Sequence, residues 1–295
     1  MIRVRKIAHA SYEMPDLEQQ VAYYTDILGL TLTAKEKDAA YLANAIDHHA
    51  VVLRGGPEVK CVHIGFQLGP DDELDAFEKQ TAAHGIKTAR RKDSEPTISD
   101  MVTFEDPKGT VIEVFKRPEP APQKFQRAGV VPHKLGHVAF HVADVKGVTN
   151  FYCDVLGFRV SDWLGDFMCF LRCNSAHHRI AILPGPPCLN HVAYDMLSVD
   201  DMMCGASRLR QRGTELRWGP GRHTAGNNAF SYFTTPNGFA VEYTADLEEV
   251  DFETHQPTVH VPGPRVMDQW GIGLGGPQTM PHPAPDPRLF QPAEV

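Results

Sequence analysis

The sequence predicts an α+β fold of two homologous domains, because segments repeat within it and short strands alternate with amphipathic helices. The segment RKIAHASYEM, which begins at Arg5, returns as HKLGHVAFHV at His133, an offset of 128 residues. Two further pairs of segments, VHIGFQ with NHVAYD and FEDPKG with FTTPNG, recur at offsets of 128 and 129 residues. The chain therefore consists largely of two similar halves.

Each half contains two strand–helix–strand units, which predicts four βαβββ modules in all. The helix of the third module has apolar residues at helical spacing: Val148, Phe151, Tyr152, Val155 and Leu156. Gly157 follows them as a helix stop. The segments PKG at Pro107 and PNG at Pro236 predict tight turns before the last strand of each half.

Changes in composition predict the borders of the two domains. The stretch RPEPAPQKFQRAG is rich in proline and predicts a linker at 118–133, between an N-terminal domain at 1–117 and a C-terminal domain at 134–250. Residues 251–295 are rich in proline and glycine, which predicts an extended tail without a core of its own.

Charge and hydropathy argue against two classes of partner. The formal net charge of −8 disfavours nucleic acids and anionic membrane surfaces, since both require basic patches. No apolar run approaches the length of a membrane span, and the N-terminus lacks the apolar segment of a signal peptide. We therefore expect a cytoplasmic protein with no nucleic-acid or membrane partner.

Three residues of the second half have the types and positions of metal ligands. His137 lies in LGHVAF, His191 in LNHVAY and Glu242 in AVEYTA, each on a predicted strand. An alanine stands two positions from each of them, on the same strand face, and leaves room for a metal and its substrate. Two imidazoles and one carboxylate form the facial triad that suits non-haem Fe(II) and leaves coordination positions open.

These motifs and the two-domain repeat resemble the vicinal oxygen chelate superfamily. Within it they resemble the type I extradiol ring-cleavage dioxygenases, over about residues 5–250. That family carries a further histidine, in an HxxA setting, about fourteen residues before the second ligand. His178 stands in that setting, thirteen residues before His191, and the neighbouring His177 is the alternative. The resemblance implies the glyoxalase/bleomycin-resistance/dihydroxybiphenyl dioxygenase fold, in which two modules form a cupped half-barrel.

The family also places a histidine nine residues before a tyrosine, and the glutamate ligand ten residues after that tyrosine. His223, Tyr232 and Glu242 reproduce both gaps. By resemblance, His178 is the general acid and base, while His223 and Tyr232 orient the catecholate. The resemblance further implies Fe(II), with Mn(II) as an alternative, O2 as a co-substrate, a catechol substrate and a homo-oligomer.

The first half carries similar ligand types at His9, His63 and Glu113. His49 precedes His63 by fourteen residues, but the counterpart of Tyr232 is Thr103 and that of His223 falls near Ser94. Three interpretations stay open: a vestige of duplication, which is favoured, a structural metal site, or a second active site.

Two other functions compete with ring cleavage. One is another metal-dependent enzyme of the superfamily, such as a glyoxalase, an epimerase or a thiol transferase. The other is a ligand-sequestering protein of the bleomycin-resistance type. His178, His223 and Tyr232 favour the dioxygenase, because neither alternative requires them. The sequence thus predicts an extradiol dioxygenase of aromatic-compound degradation.

Overall fold

The computed structural model describes residues 1–116, 120 and 131–282. Most of the predicted linker at 118–133, and the tail beyond residue 282, lie outside the described residues. Within the described residues no helix is long and apolar enough to span a membrane.

The N-terminal domain is built on one eight-stranded sheet in the order β2-β3-β4-β1-β5-β8-β7-β6. Its strands are β1 (Val4–Met14), β2 (Thr31–Lys35), β3 (Ala39–Ala43), β4 (Val51–Gly55), β5 (Lys60–Leu68), β6 (Ala89–Glu95), β7 (Ile98–Glu105) and β8 (Val111–Phe115). Its helices are α1 (Leu17–Ala22), which continues as a π-helical turn (Tyr23–Ile27), and α2 (Leu74–Ala83).

The C-terminal domain repeats this arrangement in a nine-stranded sheet of order β14-β15-β16-β13-β9-β12-β11-β10-β17. Its strands are β9 (Lys134–Val142), β10 (Arg159–Leu164), β11 (Met168–Arg172), β12 (Ile180–Pro184), β13 (Cys188–Asp195), β14 (Leu216–Arg222), β15 (Ala229–Thr234), β16 (Ala240–Ala245) and the tail strand β17 (Thr258–His260). Its helices are α3 (Val145–Leu156), α4 (Val199–Gln211) and α5 (Pro264–Met267), and a 3₁₀ turn follows at Pro277–Thr279.

Both sheets follow the predicted βαβββ modules. In each module the first strand pairs in parallel with the last, and the two first strands of a domain pair antiparallel. The two modules therefore meet along β1 and β5 in one domain and along β9 and β13 in the other. The prediction of an α+β fold with two domains of curled half-barrel sheets is confirmed.

The residues at the ends of helix α3 and in the two tight turns adopt the conformations expected for their types. Helix α3 begins after Asp144, whose carboxylate accepts a hydrogen bond of 2.9 Å from the backbone N–H of Gly147. It ends at Gly157, which adopts a left-handed conformation with φ of 74°. The turns before β8 and β16 place Gly109 and Gly238 at φ of 88° and 85°, which favours glycine there.

The described part of the tail packs on the C-terminal domain through polar contacts and through the apolar side chains of Val266, Met267 and Met280. Strand β17 adds to the sheet edge beside β10, where Asp162 accepts a hydrogen bond of 2.6 Å from His260 Nε2. The buried Arg172 guanidinium donates to the carbonyls of Phe252 and His255, at 3.1 and 3.2 Å. Helix α5 follows and packs against an apolar cluster of the C-terminal domain.

Candidate metal centre

Three neighbouring strands at the centre of the C-terminal sheet carry the predicted ligands. His137 lies on β9, His191 on β13 and Glu242 on β16. Ala193 of β13 is the register partner of both His137 and Glu242, so its small side chain lies between two ligands on the same face. The sheet curvature turns this face inward, which brings together side chains that are far apart in the chain.

The three ligand atoms converge at distances typical of a metal site. His137 Nε2 lies 3.1 Å from His191 Nε2 and 3.1 Å from Glu242 Oε2, and His191 Nε2 lies 3.3 Å from Glu242 Oε2. Adjacent ligands of an octahedral ion with bonds of about 2.1 Å are separated by about 3.0 Å. Glu242 Oε2 is buried and makes no hydrogen bond within the described residues. The donor set therefore fits a divalent transition-metal ion.

Two asparagines that sequence reasoning missed hold the ligands in place. Asn190 Oδ1 lies 2.6 Å from His191 Nδ1, so Nδ1 carries the proton and Nε2 is free to bind a metal. Asn228 Nδ2 donates to Glu242 Oε1 at 3.2 Å, which turns Oε2 toward the histidines. Asn190 directly precedes a ligand and was visible in LNHVAY, whereas no sequence pattern linked Asn228 to Glu242.

The electrostatics of the triad favour a cation. Burial alone would raise the pKa of Glu242, but the close approach of His137 and His191 to its carboxylate outweighs burial and lowers that pKa. Burial lowers the pKa of His191 to about 4, despite the opposing effect of Glu242. At neutral pH the site therefore presents a carboxylate and an unprotonated His191, the states that bind metal.

His178 faces the metal centre, whereas His177 faces away from it. The His178 ring lies 4.4 Å, between centroids, from the ring of His137 and lines the cavity beside the triad. His177 Nε2 instead lies 3.1 Å from Asp162 Oδ2, on the side of the tail. The two rings meet through their Nδ1 atoms at 3.0 Å, so Nε2 of His178 is the atom that can exchange a proton with a bound ligand. Burial, followed by His137, lowers the pKa of His178 well below its usual value.

His223 and Tyr232 form a hydrogen-bonded pair on the opposite wall of the cavity. His223 Nδ1 donates to the Met267 carbonyl at 2.7 Å, and burial lowers the pKa of this imidazole. Its Nε2 accepts from the Tyr232 hydroxyl at 3.1 Å. Burial, followed by the charge of Glu242, raises the pKa of Tyr232, so its hydroxyl stays protonated. The Trp218 indole stacks on Tyr232 with ring centroids 5.0 Å apart and restrains its orientation.

The cavity between these walls is mainly apolar and is closed in part by the tail. The sheet and its loops contribute the apolar side chains of Leu164, Met168, Phe170, Leu183 and Trp218, and the tail contributes those of Val266, Met267, Pro277 and Met280. None of the described residues that line it is Lys, Arg, Asp or Glu. Three aromatic residues lie in or near β10 and β11. Phe170 lines the cavity, whereas Phe167 and Trp163 pack in apolar clusters.

The lowered pKa of His191 predicts how the stability of the metal-free protein changes with pH. In the unfolded chain this imidazole takes up a proton near pH 6.5, while in the folded chain it does so only near pH 4. The free energy of unfolding should therefore fall by about 3 kcal/mol as the pH drops from 6.5 to 4 through this group. The free energy of unfolding, measured with urea across this range, should depend less on pH in His191→Gln than in the wild-type protein. An equal pH dependence in the two proteins would contradict the lowered pKa of His191.

Comparison with known proteins agrees with this architecture. The profile of the glyoxalase/bleomycin resistance protein/dioxygenase superfamily matches residues 6–114 and 134–243. Metapyrocatechase 2 of Cupriavidus necator is 27% identical over 91% of this chain and 89% of its own length. The 3-methylcatechol 2,3-dioxygenase of Pseudomonas putida is 27% identical over 84% of this chain and 91% of its own.

A crystal structure described as a Mn(II)-bound glyoxalase, from Novosphingobium aromaticivorans, is 50% identical in sequence. It covers 99% of both chains with a TM-score of 0.90. The predicted resemblance to extradiol dioxygenases is confirmed by the names of the curated relatives. The two matched domains account for most of the sequence, and the chain belongs to the glyoxalase/bleomycin resistance protein/dioxygenase superfamily.

Proposed function

We propose that this protein is an extradiol ring-cleavage dioxygenase that inserts both atoms of O2 into a catechol. The observation that carries the proposal is the arrangement of His178, His223 and Tyr232 around one apolar cavity that adjoins the triad. A metal-binding domain of this superfamily needs only the triad, whereas a catechol also needs a proton acceptor and groups that orient its oxygens. The names of the curated relatives support the same activity.

His137, His191 and Glu242 would hold Fe(II), with Mn(II) as the alternative, since relatives named as iron-dependent and as manganese-dependent both occur. Such an ion would supply Lewis-acid and electron-transfer chemistry between a catechol and O2. Asn190 and Asn228 keep the histidine and carboxylate ligands oriented in the absence of substrate.

Three other residues of the cavity have separate roles. His178 transfers protons, and Tyr232 with His223 orients the substrate. His178 is unprotonated at neutral pH because its pKa is lowered, so its Nε2 can accept a proton from the catechol and return it later. The hydroxyl of Tyr232 stays protonated, and on substrate binding it could turn its single proton from His223 Nε2 to a catecholate oxygen. His223, tied to the Met267 carbonyl, fixes the position of that hydroxyl, and the apolar walls exclude water.

A direct assay tests the proposed activity. Protein loaded with Fe(II) under anaerobic conditions should, on addition of 3-methylcatechol and air, form a yellow ring-fission product and consume one O2 per product molecule. The same protein loaded with Mn(II) identifies the preferred ion. Absence of a ring-fission product with mono- and bicyclic catechols, under both metals, would refute the proposal.

A glyoxalase is the second candidate, because the structure that is 50% identical carries that description. A thiol–aldehyde adduct of glutathione bears carboxylates, however, and the described lining of the cavity offers no cationic side chain to pair with them. Measuring isomerisation of the methylglyoxal–glutathione adduct by the same Mn(II)- and Fe(II)-loaded protein separates the two candidates.

The uncharged lining predicts which catechols are cleaved well. A carboxylate buried there without a partner would lose its hydration, so 3,4-dihydroxybenzoate should show a kcat/KM about 100-fold below that of 4-methylcatechol. The methyl ester of the same acid removes the charge and should recover most of the loss. Equal kcat/KM values for the acid and its ester would contradict this prediction.

The proposal also includes a cytoplasmic location and a homo-oligomeric state, the second of which is implied by the resemblance.

A further inference from the structure

A second group of histidines and carboxylates is buried in the N-terminal domain. Its members come from β1, β6, β8 and the segment before β4: His9, Glu95, Glu113 and His49. His9 Nε2 lies 2.8 Å from Glu113 Oε2 and 3.5 Å from Glu95 Oε2, and His49 Nε2 lies 3.5 Å from Glu95 Oε2. Ligands bonded to one ion at about 2.1 Å are separated by about 3.0–3.4 Å when adjacent, and the two 3.5 Å separations from Glu95 Oε2 are close to this range. His9, His49 and Glu95 each offer an atom within 4.8 Å of the other two, so these three residues can share a cation.

The structure rearranges the look-alike triad expected from the sequence. His63, the counterpart of His191, points its Nδ1 at Glu113 Oε1, 2.8 Å away, and its side chain is 27% exposed. The groups of ligand atoms that lie close together combine His9 with His49 and Glu95, and His63 with Glu95 and Glu113. Glu95, which no sequence argument singled out, is therefore the carboxylate common to both groups.

Glu95 presents an unsatisfied oxygen to this cluster. Its side chain is only 2% exposed, and its Oε2 makes no hydrogen bond within the described residues. Arg54 holds the other oxygen, Oε1, at 2.6 Å. Asn228 holds Glu242 Oε1 in the same way in the C-terminal site, where Oε2 is likewise left facing two histidines. A buried carboxylate oxygen without a partner is costly, and a cation would satisfy it.

A glycine allows His9 to take its place in the cluster. Gly65 occupies the register position between His9 and Glu113 that Ala193 occupies between His137 and Glu242. A Cβ atom at Gly65 would lie 2.3 Å from Cε1 of His9, so the imidazole ring fills the space that a side chain would need. Gly65 therefore sets the position of the His9 ring in the N-terminal cluster.

We propose that the N-terminal domain binds a second divalent transition-metal ion through His9, His49 and Glu95, with Glu113 beside His9. Arg54 offsets one of the two buried carboxylates, and the ion compensates the other. The role is structural: Phe115 stacks on His9 at 5.6 Å, the Tyr41 ring packs edge-on against His49 at 5.4 Å, and Thr103 replaces the substrate-orienting tyrosine.

Metal content of the full chain tests this proposal independently of the dioxygenase activity. Metal-free protein dialysed against Mn(II) should bind about two ions per chain, and Glu242→Ala, which breaks the C-terminal triad, should still bind about one. Adding Glu95→Gln to Glu242→Ala should remove that ion, whereas adding Glu58→Gln, which alters an exposed carboxylate of the same domain, should not. Gly65→Ala in the same background should weaken binding, because it displaces the His9 ring without removing a ligand.

Spectroscopy of Mn(II) bound to Glu242→Ala gives a second measurement that does not depend on whether the double variant folds. Electron spin echo spectra should show coupling to imidazole nitrogen. The proposal is overturned if Glu242→Ala binds no Mn(II), if its bound Mn(II) lacks nitrogen coupling, or if a folded Glu242→Ala/Glu95→Gln protein retains the ion. Failure of ring cleavage alone would leave these measurements unaffected.

Discussion

Replacing Glu242 with alanine should remove the C-terminal metal ion and abolish ring cleavage. The carboxylate is the anionic member of the triad, and its Oε2 lies within 3.3 Å of both histidine Nε2 atoms. Two neutral imidazoles alone bind Fe(II) far more weakly, so we expect the catalytic rate to fall to the background of free Fe(II) in solution. Bound metal, measured on desalted protein, and the rate of product formation should be lost together.

Two further variants test whether the loss of metal and turnover is specific to the Glu242 carboxylate. Glu249→Ala changes an exposed carboxylate seven residues along the chain and should retain both metal and turnover. Glu242→Asp keeps the charge but shortens the side chain, so part of the metal affinity should return at high Fe(II) concentration. A Glu242→Ala protein that stays folded and cleaves catechol at the wild-type rate would exclude this triad as the catalytic centre.

Replacing His178 with alanine should leave the metal bound and lower the turnover by about 100- to 10,000-fold, the usual contribution of a general acid or base. His178 is not a ligand, but its ring lines the cavity 4.4 Å, between centroids, from the ring of His137. Its loss would remove the proposed proton acceptor and leave His137, His191 and Glu242 in place. The expected pattern is therefore normal metal content, a modest change in KM and a large loss in kcat.

The neighbouring His177 supplies the matched comparison. Its ring faces Asp162 and lies outside the cavity lining, so His177→Ala should lower kcat much less than His178→Ala does. Equal losses in the two variants would assign the proton transfer to the pair rather than to His178. Wild-type turnover in His178→Ala, with metal retained, would remove this residue from the mechanism.

Sequence patterns were sufficient for the fold because the repeat is local and regular. Helix α3 follows from the spacing of its apolar residues and ends at Gly157, where a left-handed conformation favours glycine. The order of strands and helices is the same in all four modules, so the identification of one module supports that of the other three. The resemblance to the extradiol dioxygenases implied His178, His223 and Tyr232, which line the same cavity as His137 and His191.

The sequence by itself determined the two-domain repeat, the residue types of the triad and the residues to examine around it. Only the tertiary structure distinguished His177 from His178, because adjacent residues on a bent segment point to opposite sides. It also placed Asn228 beside Glu242, 14 residues further along the chain, and Glu95 beside His9 and His49, although these residues are far apart in sequence. Contacts across strands and from the tail depend on register and curvature, and neither is encoded in a short motif.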